Sequence, residues 1–282
     1  MRVRGFTLVE LVMVIVITAI LAATLTLFLK PAIDSYFDTR RRADLTDIAD
    51  TALRRMGQDI HRAVPNSVRS VTATCFQLVP TIGGGRYRAA SDTANDTPSP
   101  LPCTPSVTCS APLDVTQPVT VFDVLSLLDP YVPAANDWIV INNQNSGDVY
   151  GGTNRGQITT PSTPRGSDGL HRIGIGSTQF PSGYDGGRFV VVPDAEKTVL
   201  YSCVGSTLYR KVTANFAQAD ATACGNATSG AVVATDVASC EFVYDPNQGA
   251  TQQSGFVWMR LELSRSGESV ALAYGVHVDN AP

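Results

Sequence analysis

The stretch that decides the reading is MRVRGFTLVELVMVIVITAILAATLTLFLK, residues 1–30. From Phe6 to Leu29 every residue is apolar or small except Glu10. In a helix that rises ~1.5 Å per residue, about 20 such residues cross a bilayer's hydrocarbon core. An acidic group toward the interior of such a span costs on the order of 3 kcal/mol. Glu10 therefore calls for a cationic partner that a simple anchor does not supply.

Two other readings of the segment are weaker. A cleaved secretory signal has a basic start, a shorter apolar core and a small-residue exit. This run is too long, and its far end, ILAATLTLF, offers no such exit. A plain membrane anchor leaves Glu10 unexplained. The positive-inside count also pulls both ways. Arg2 and Arg4 favour a cytoplasmic start, while Lys30, Arg40, Arg41 and Arg42 lie on the other flank; the leader and the cysteines argue for the first orientation.

Gly5, Phe6, Thr7, Leu8, Val9 and Glu10, behind a basic leader and ahead of an apolar run, resemble the prepilin signature of type IV pilins and type II secretion pseudopilins. The resemblance implies that a membrane prepilin peptidase removes residues 1–5 by cutting between Gly5 and Phe6, then methylates the new α-amine of Phe6. Glu10 becomes the fifth mature residue and pairs with the α-amine of Phe6 on a neighbouring subunit. In apolar surroundings such a pair attracts strongly, and an unpaired member is penalised. The partners implied are other minor and major pilins, the peptidase, an inner-membrane assembly platform and the membrane itself. The location implied is a single inner-membrane pass with a periplasmic head, then the tip region of a surface pilus.

Beyond the span, Leu45, Ile48, Ala49, Ala52, Leu53, Met56, Ile60 and Val64 recur at helical spacing, and Pro65 comes next. One helix from Phe6 to Val64 is expected: a transmembrane half over 6–29, an amphipathic half over 30–65, and a bend at Pro31 where the two join. The remainder, 66–282, reads as a β-rich head. Strand-like runs occur at 67–72, 74–80, 120–125, 137–142, 187–193, 198–204, 207–212, 239–245, 256–264 and 268–278, with turns at Gly205-Ser206 and Ser266-Gly267. Residues 83–118 and 143–170 read as long loops, and Gly83-Gly84-Gly85-Arg86 as a tight turn, with an anion cradle as the alternative. The fold class is α+β, a spine helix packed on antiparallel sheet.

The chain of 282 residues carries a net charge of −4, so no basic field points to nucleic acid. Its six cysteines are Cys75, Cys103, Cys109, Cys203, Cys224 and Cys240, an even set without metal-pair spacing. Disulfides in an oxidising compartment are expected, with buried thiols as the alternative. Cys103 and Cys109 are close enough to close a short loop. Cys203, Cys224 and Cys240 flank strands and supply a second bridge, and the partner of Cys75 stays open.

Nothing in the sequence builds a catalytic or cofactor site. The zincin, Walker and nucleophile-elbow patterns are absent, and His61, His171 and His277 have no companions at ligand spacing. Gly174 and Gly176 lack the rest of a dinucleotide fingerprint. Asn143 to Asp148 offers oxygen atoms without the spacing of a calcium loop. Arg40 to Arg42 reads as a solvated helix face or a contact for acidic neighbours. Asn95 and Asn226 head sequons of the kind that Thr-rich text produces by chance.

Within the pilin-like proteins, four patches narrow the resemblance: Ala63 to Arg69, Phe76 to Thr81 with Gly83 to Arg88, Asn143 to Tyr150 and Val276 to Asn280. They are similar to the O-type minor pilins of the mannose-sensitive hemagglutinin (MSHA) pilus, relatives of the J pseudopilin and the W minor pilin. This narrower resemblance implies a non-enzymatic subunit that primes or caps a pilus, supporting adhesion and motility. A J-type secretion pseudopilin is the alternative, and a membrane-anchored periplasmic enzyme a more distant one.

Overall fold

The computed structural model describes residues 5–97, 103–126, 132–165, 170–183, 186–246 and 254–279. A single helix, α1, runs from Leu8 to His61, about 80 Å at ~1.5 Å per residue. It begins two residues later than the apolar run because Thr7 is extended and caps it, its hydroxyl accepting from the Glu10 amide at 3.3 Å. It continues through Pro31. It ends three residues short of Val64, whose amide turns to the carbonyl of Val79 at 2.8 Å.

The first half of α1 is exposed along its whole apolar length. Its threonines are satisfied locally: Thr18 donates to the Val14 carbonyl at 2.7 Å and Thr26 to that of Ala22 at 2.8 Å. Hydroxyls bonded in this way need no water along the apolar run. The second half buries Leu45, Ala49, Ala52, Leu53, Met56, Gly57 and Ile60, the stripe expected from the spacing. It lies mainly on the last two strands.

Fourteen strands succeed the helix among the described residues, every pairing antiparallel. Strands β1 (Arg69–Thr72), β2 (Cys75–Leu78), β9 (Thr198–Val204), β10 (Thr207–Thr213) and β11 (Ala231–Thr235) form one sheet in the order β1-β2-β9-β10-β11. Strands β12 (Val237–Asp245), β13 (Ser254–Arg265) and β14 (Glu268–Asp279) form a second. The two are joined by the Phe242 amide donating to the Ala73 carbonyl at 2.7 Å, and with α1 they enclose one core containing Leu45, Met56, Phe76, Tyr201, Phe242 and Met259. The β9–β10 and β13–β14 hairpins turn at Gly205 and at Ser266-Gly267, all with positive φ, as the sequence predicts.

The third sheet is where the structure departs from the sequence reading. Strands β3 (Gly83–Arg86), β4 (Val119–Val124), β5 (Trp138–Val140), β6 (Arg155–Arg165), β7 (Leu170–Thr178) and β8 (Arg188–Val192) run in the order β3-β8-β5-β6-β7-β4. Its two ends meet. Tyr87 bridges Val124, the Arg88 amide donates to the Asp123 carbonyl at 2.9 Å, and the Leu125 amide donates to the Arg86 carbonyl at 2.7 Å. The sheet is thus a closed six-stranded barrel, filled by Phe122, Ile139, Ile141, Ile158, Ile173, Phe180 and Phe189 among others.

Two loop assignments are therefore corrected. Residues 143–170 contain a short helix, α2 (Asp148–Gly151), and the 11-residue strand β6. The excursion 83–118 starts with β3, so Gly83-Gly84-Gly85-Arg86 is a strand and not a turn. Glycine is required there because a Cβ on Gly84 would stand 2.5 Å from the Phe189 carbonyl oxygen of β8.

Candidate functional site

The candidate site is the N-terminal segment together with the surfaces of the head. Gly5 has open space around it, and Phe6 is 73% exposed. Glu10 lies in the first turn of α1 and is exposed, where the helix's free N–H groups favour a negative charge. Leu8, Val9, Val12, Met13, Val16 and Ile17 line an apolar groove beside it. Among the described residues nothing else in the chain packs on this end of the helix, so it is presented entire for contacts outside the chain. Arg2 and Arg4 lie outside the described residues.

At the base of the head the arginine triplet divides. Arg42 forms an ion pair with Glu268 at the start of β14, tying α1 to the β13–β14 turn. Arg41 pairs along the helix with Asp38 at 2.9 Å. Arg40 is exposed, without an ion pair among the described residues. The same turn is held by Arg265, which donates to Asp236 at 2.6 Å and holds that carboxyl below its ordinary range.

All six cysteines are paired: Cys75 with Cys224, Cys103 with Cys109, and Cys203 with Cys240. Cys203–Cys240 joins β9 to β12. Cys224 does not flank a strand; it lies in the short helix α3 (Ala221–Gly225) and fastens that helix to β2. The Cys103–Cys109 loop is clamped to the barrel by Arg172, which donates to the carbonyls of Ser106 and Cys109, each at 2.8 Å, and to buried Asp123 at 2.7 Å. Asp96 lies near the Cys103 and Cys109 sulfurs. Those sulfurs are already bonded to each other, which removes them as thiolate ligands.

The segment Asn143 to Asp148 braces the fold. Asn143 donates to the Pro65 carbonyl at 2.6 Å and accepts from the Val149 amide at 2.9 Å and the Asn154 side chain at 2.8 Å. Asp148 accepts from the Asn145 amide at 2.9 Å. This segment locks the helix exit to the barrel. Burial pushes the Tyr150 phenol up, and that group donates to the Ser67 carbonyl at 2.8 Å. Burial, with Asp59 adding to it, also raises the Tyr201 phenol, which donates to Asp59 at 2.8 Å beside Arg210. Both tyrosines stay protonated at neutral pH, so they serve as hydrogen-bond donors and not as acid–base groups. His277 packs against Phe256 at 5.2 Å between ring centroids.

The feature that sequence reasoning missed is a polar cleft beside Arg69, where β1, the end of β12 and residues 144–146 meet. Three segments distant in sequence make it, so no local pattern announces it.

Comparison with known proteins decides what kind of N-terminus this is. Residues 1–26 match the family described as the prokaryotic N-terminal methylation motif. The motif supports a type IV pilin-like protein, pilin or pseudopilin, of a structural kind, and implies processing by a prepilin peptidase and assembly with other pilins in a membrane. The exposed apolar helix fits that anchoring. Neither curated proteins nor solved structures yield a match to the chain.

Proposed function

We propose that the chain is a minor pilin, similar to the O-type subunit of MSHA pili, that helps to initiate or cap a pilus near its tip and so supports adhesion and motility. In this reading residues 1–5 are a leader cut at Gly5-Phe6, Phe6 is N-methylated, and Glu10 pairs with a neighbour's α-amine. The head is periplasmic until assembly carries it to the surface.

The observation that carries the minor role is the inserted barrel. Residues 83–192 add a second lobe, with its own core, to a head already complete around α1. Repeated at every position of a close-packed shaft, that bulk would crowd neighbours on all sides; near a tip the crowding comes mainly from below. Retention of Glu10 argues for one further subunit above it, because an uncapped subunit would leave the acid unpaired in apolar surroundings. The second reading, a J-type secretion pseudopilin, shares the motif and the same logic of size.

Quantitative mass spectrometry of sheared filaments tests the proposal. The chain is expected to be rare beside a smaller pilin, with a methylated Phe6 at its N-terminus. A mature start near Ala22 or Ala23 overturns the pilin processing. Finding this chain as the most abundant subunit overturns the minor role, and recovery only with a secretion apparatus selects the pseudopilin.

A further inference from the structure

The polar cleft next to Arg69 has a volume of about 450 Å³, within the range of small-molecule sites. It lies at the junction of the two lobes, lined by Asn66, Arg69, Gln144, Asn145, Ser146 and Tyr244, with Val68, Ser70 and Pro246 completing the wall. No carboxylate is among these residues. The one charge is the Arg69 guanidinium, and it is held in place: Nη1 donates to Gln77 Oε1 at 3.3 Å and to the Ala219 carbonyl at 3.2 Å, with the Tyr150 ring 5.8 Å away. Among the described residues no acid pairs with it, and its Nε and Nη2 are uncommitted.

The opposite wall is uncharged and has capacity to spare. Gln144 uses its Nε2 on the Ser182 carbonyl at 3.4 Å, and Asn145 uses its Nδ2 on Asp148 at 3.1 Å. That leaves Gln144 Oε1 and Asn145 Oδ1 as acceptors. The Ser146 hydroxyl is exposed and has no partner among the described residues. Tyr244 adds a ring.

The chemistry selects a ligand class. A cation finds no carboxylate here. A nucleic acid needs a row of cations, and the cleft has one. An apolar ligand would strand the amides. A small bare anion would satisfy Arg69 but leave the amide acceptors and the serine unused. A guanidinium fork matches a carboxylate in two parallel hydrogen bonds, and amide oxygens with a hydroxyl match a set of ring hydroxyls. We infer that the cleft binds an acidic saccharide, a hydroxylated ring bearing a carboxylate, with Arg69 on the carboxylate and Gln144, Asn145 and Ser146 on the hydroxyls. The inference does not depend on which filament the subunit enters.

The test uses the full chain in a detergent without a sugar headgroup, titrated by calorimetry and by ligand-observed NMR. An oligouronate and a sialyl trisaccharide serve as acidic probes for a polysaccharide and a glycoprotein source, with an uncharged oligohexose and inorganic phosphate as controls. At least one acidic probe is expected to bind saturably, about tenfold or more tighter than the neutral sugar and phosphate. Arg69→Lys, which keeps the charge and loses the fork, is expected to weaken acidic binding by about tenfold. Ser146→Trp, on an exposed residue with no structural bond, is expected to abolish it at unchanged melting temperature. Equal binding of neutral and acidic sugars, equal binding of phosphate, no binding of either acidic probe, or full affinity in folded Ser146→Trp each overturns the proposal. Should Arg69→Lys fail to fold, the Ser146→Trp result decides alone.

Discussion

Gly57 and Gly84 each sit inside a regular element, yet a methyl group at the two positions meets different obstacles. At Gly57, where α1 crosses β14, a Cβ would lie 2.9 Å from Tyr274 Cε1 and 3.3 Å from a Val276 methyl. Tyr274 is 39% exposed and can swing aside, and alanine regains about 1 kcal/mol of helix propensity. Gly57→Ala is expected to be close to neutral. At Gly84 the obstacle is a backbone oxygen at 2.5 Å, which cannot yield without parting β3 from β8. Gly84→Ala is expected to cost about 1–3 kcal/mol, lowering the melting temperature by roughly 2–4 °C for each kcal/mol; thermal denaturation of the two variants side by side measures the contrast. Glu10→Ala is expected to be processed normally and to assemble poorly, because the carboxylate matters only when a neighbour's amine arrives. Normal pilus numbers in that variant would refute the pairing. The motif that contains Glu10 was legible in the sequence, since a charge in an apolar run demands a reason. The role of Gly84 was not, because a glycine's neighbour across a sheet is invisible in a linear string.

The helix and ten strands could be read from periodicity; β3, β6, β7 and β11 could not. Strand β6 contains Pro161 and Pro164, and its pairing with β7 shifts register between Ile158 and Thr160 and again between Thr160 and Thr163. Irregular pairing is what admits proline to a strand, and it also erases the alternation by which strands are recognised. Strand β3 is mostly glycine, and β11 slips register against β10 near Leu208.

The disulfides differ in the chain length they close. Separations of 149, 37 and 6 residues correspond in the loop-entropy account to about 5, about 4 and about 2 kcal/mol. Paired Cys→Ala variants are expected to lose stability in that order, read from denaturant midpoints; a reversed order would mean that native contacts outweigh the loop term.

Acid weakens the same framework. Asp236 is held low by hydrogen bonds from Arg265, Asp194 by Lys197, Asp92 by Asn95 and Asp114 by Thr116. Each folded pKa lies below its unfolded one, so the stabilisation is complete above the unfolded value near 3.8 and is lost as pH falls through the folded values. Denaturant midpoints are expected to be flat toward neutrality and to fall below about pH 4, with Asp236→Asn removing part of the fall.

At the scale of the molecule, the head has two main cores with no residue in common, joined by a smaller buried cluster in which Val64, Val79 and Phe216 pack on Val140, Val149, Tyr150 and Val192. The core under α1 draws nothing from residues 79–197, and the barrel core draws only on residues 82–191. Ile82 and Val191 are already in contact, amide to carbonyl, at 3.0 Å. Replacing residues 83–192 by a short glycine linker removes one side of that joining cluster and the bonds of Asn143 and Tyr150 to the helix exit; it is expected to leave a less stable but folded helix-and-sheet protein that still forms Cys75–Cys224 and Cys203–Cys240. Peptide mapping under non-reducing conditions checks it, and scrambled bridges would show that the lobes fold as one. The sequence foretold the α+β class and concealed the division, because the barrel's closure rests on a single bridge, Tyr87 to Val124, made by two backbone bonds, with the Arg86 amide donating to the Ser126 hydroxyl beside it. The insertion also has a mechanical side. The barrel enters and leaves through two neighbouring antiparallel strands, β2 and β9, whose last pair before it is Leu78 with Val199. A tug on the barrel thus peels that pair one rung at a time, the weakest way to load a sheet. The tear has little distance to run. Cys75 is three residues along β2 and Cys203 four residues along β9 from that rung, each welded to a different part of the head, so traction on the outer lobe opens only the rungs from Leu78 to Phe76, at the edge of the core around the helix, before it meets covalent bonds.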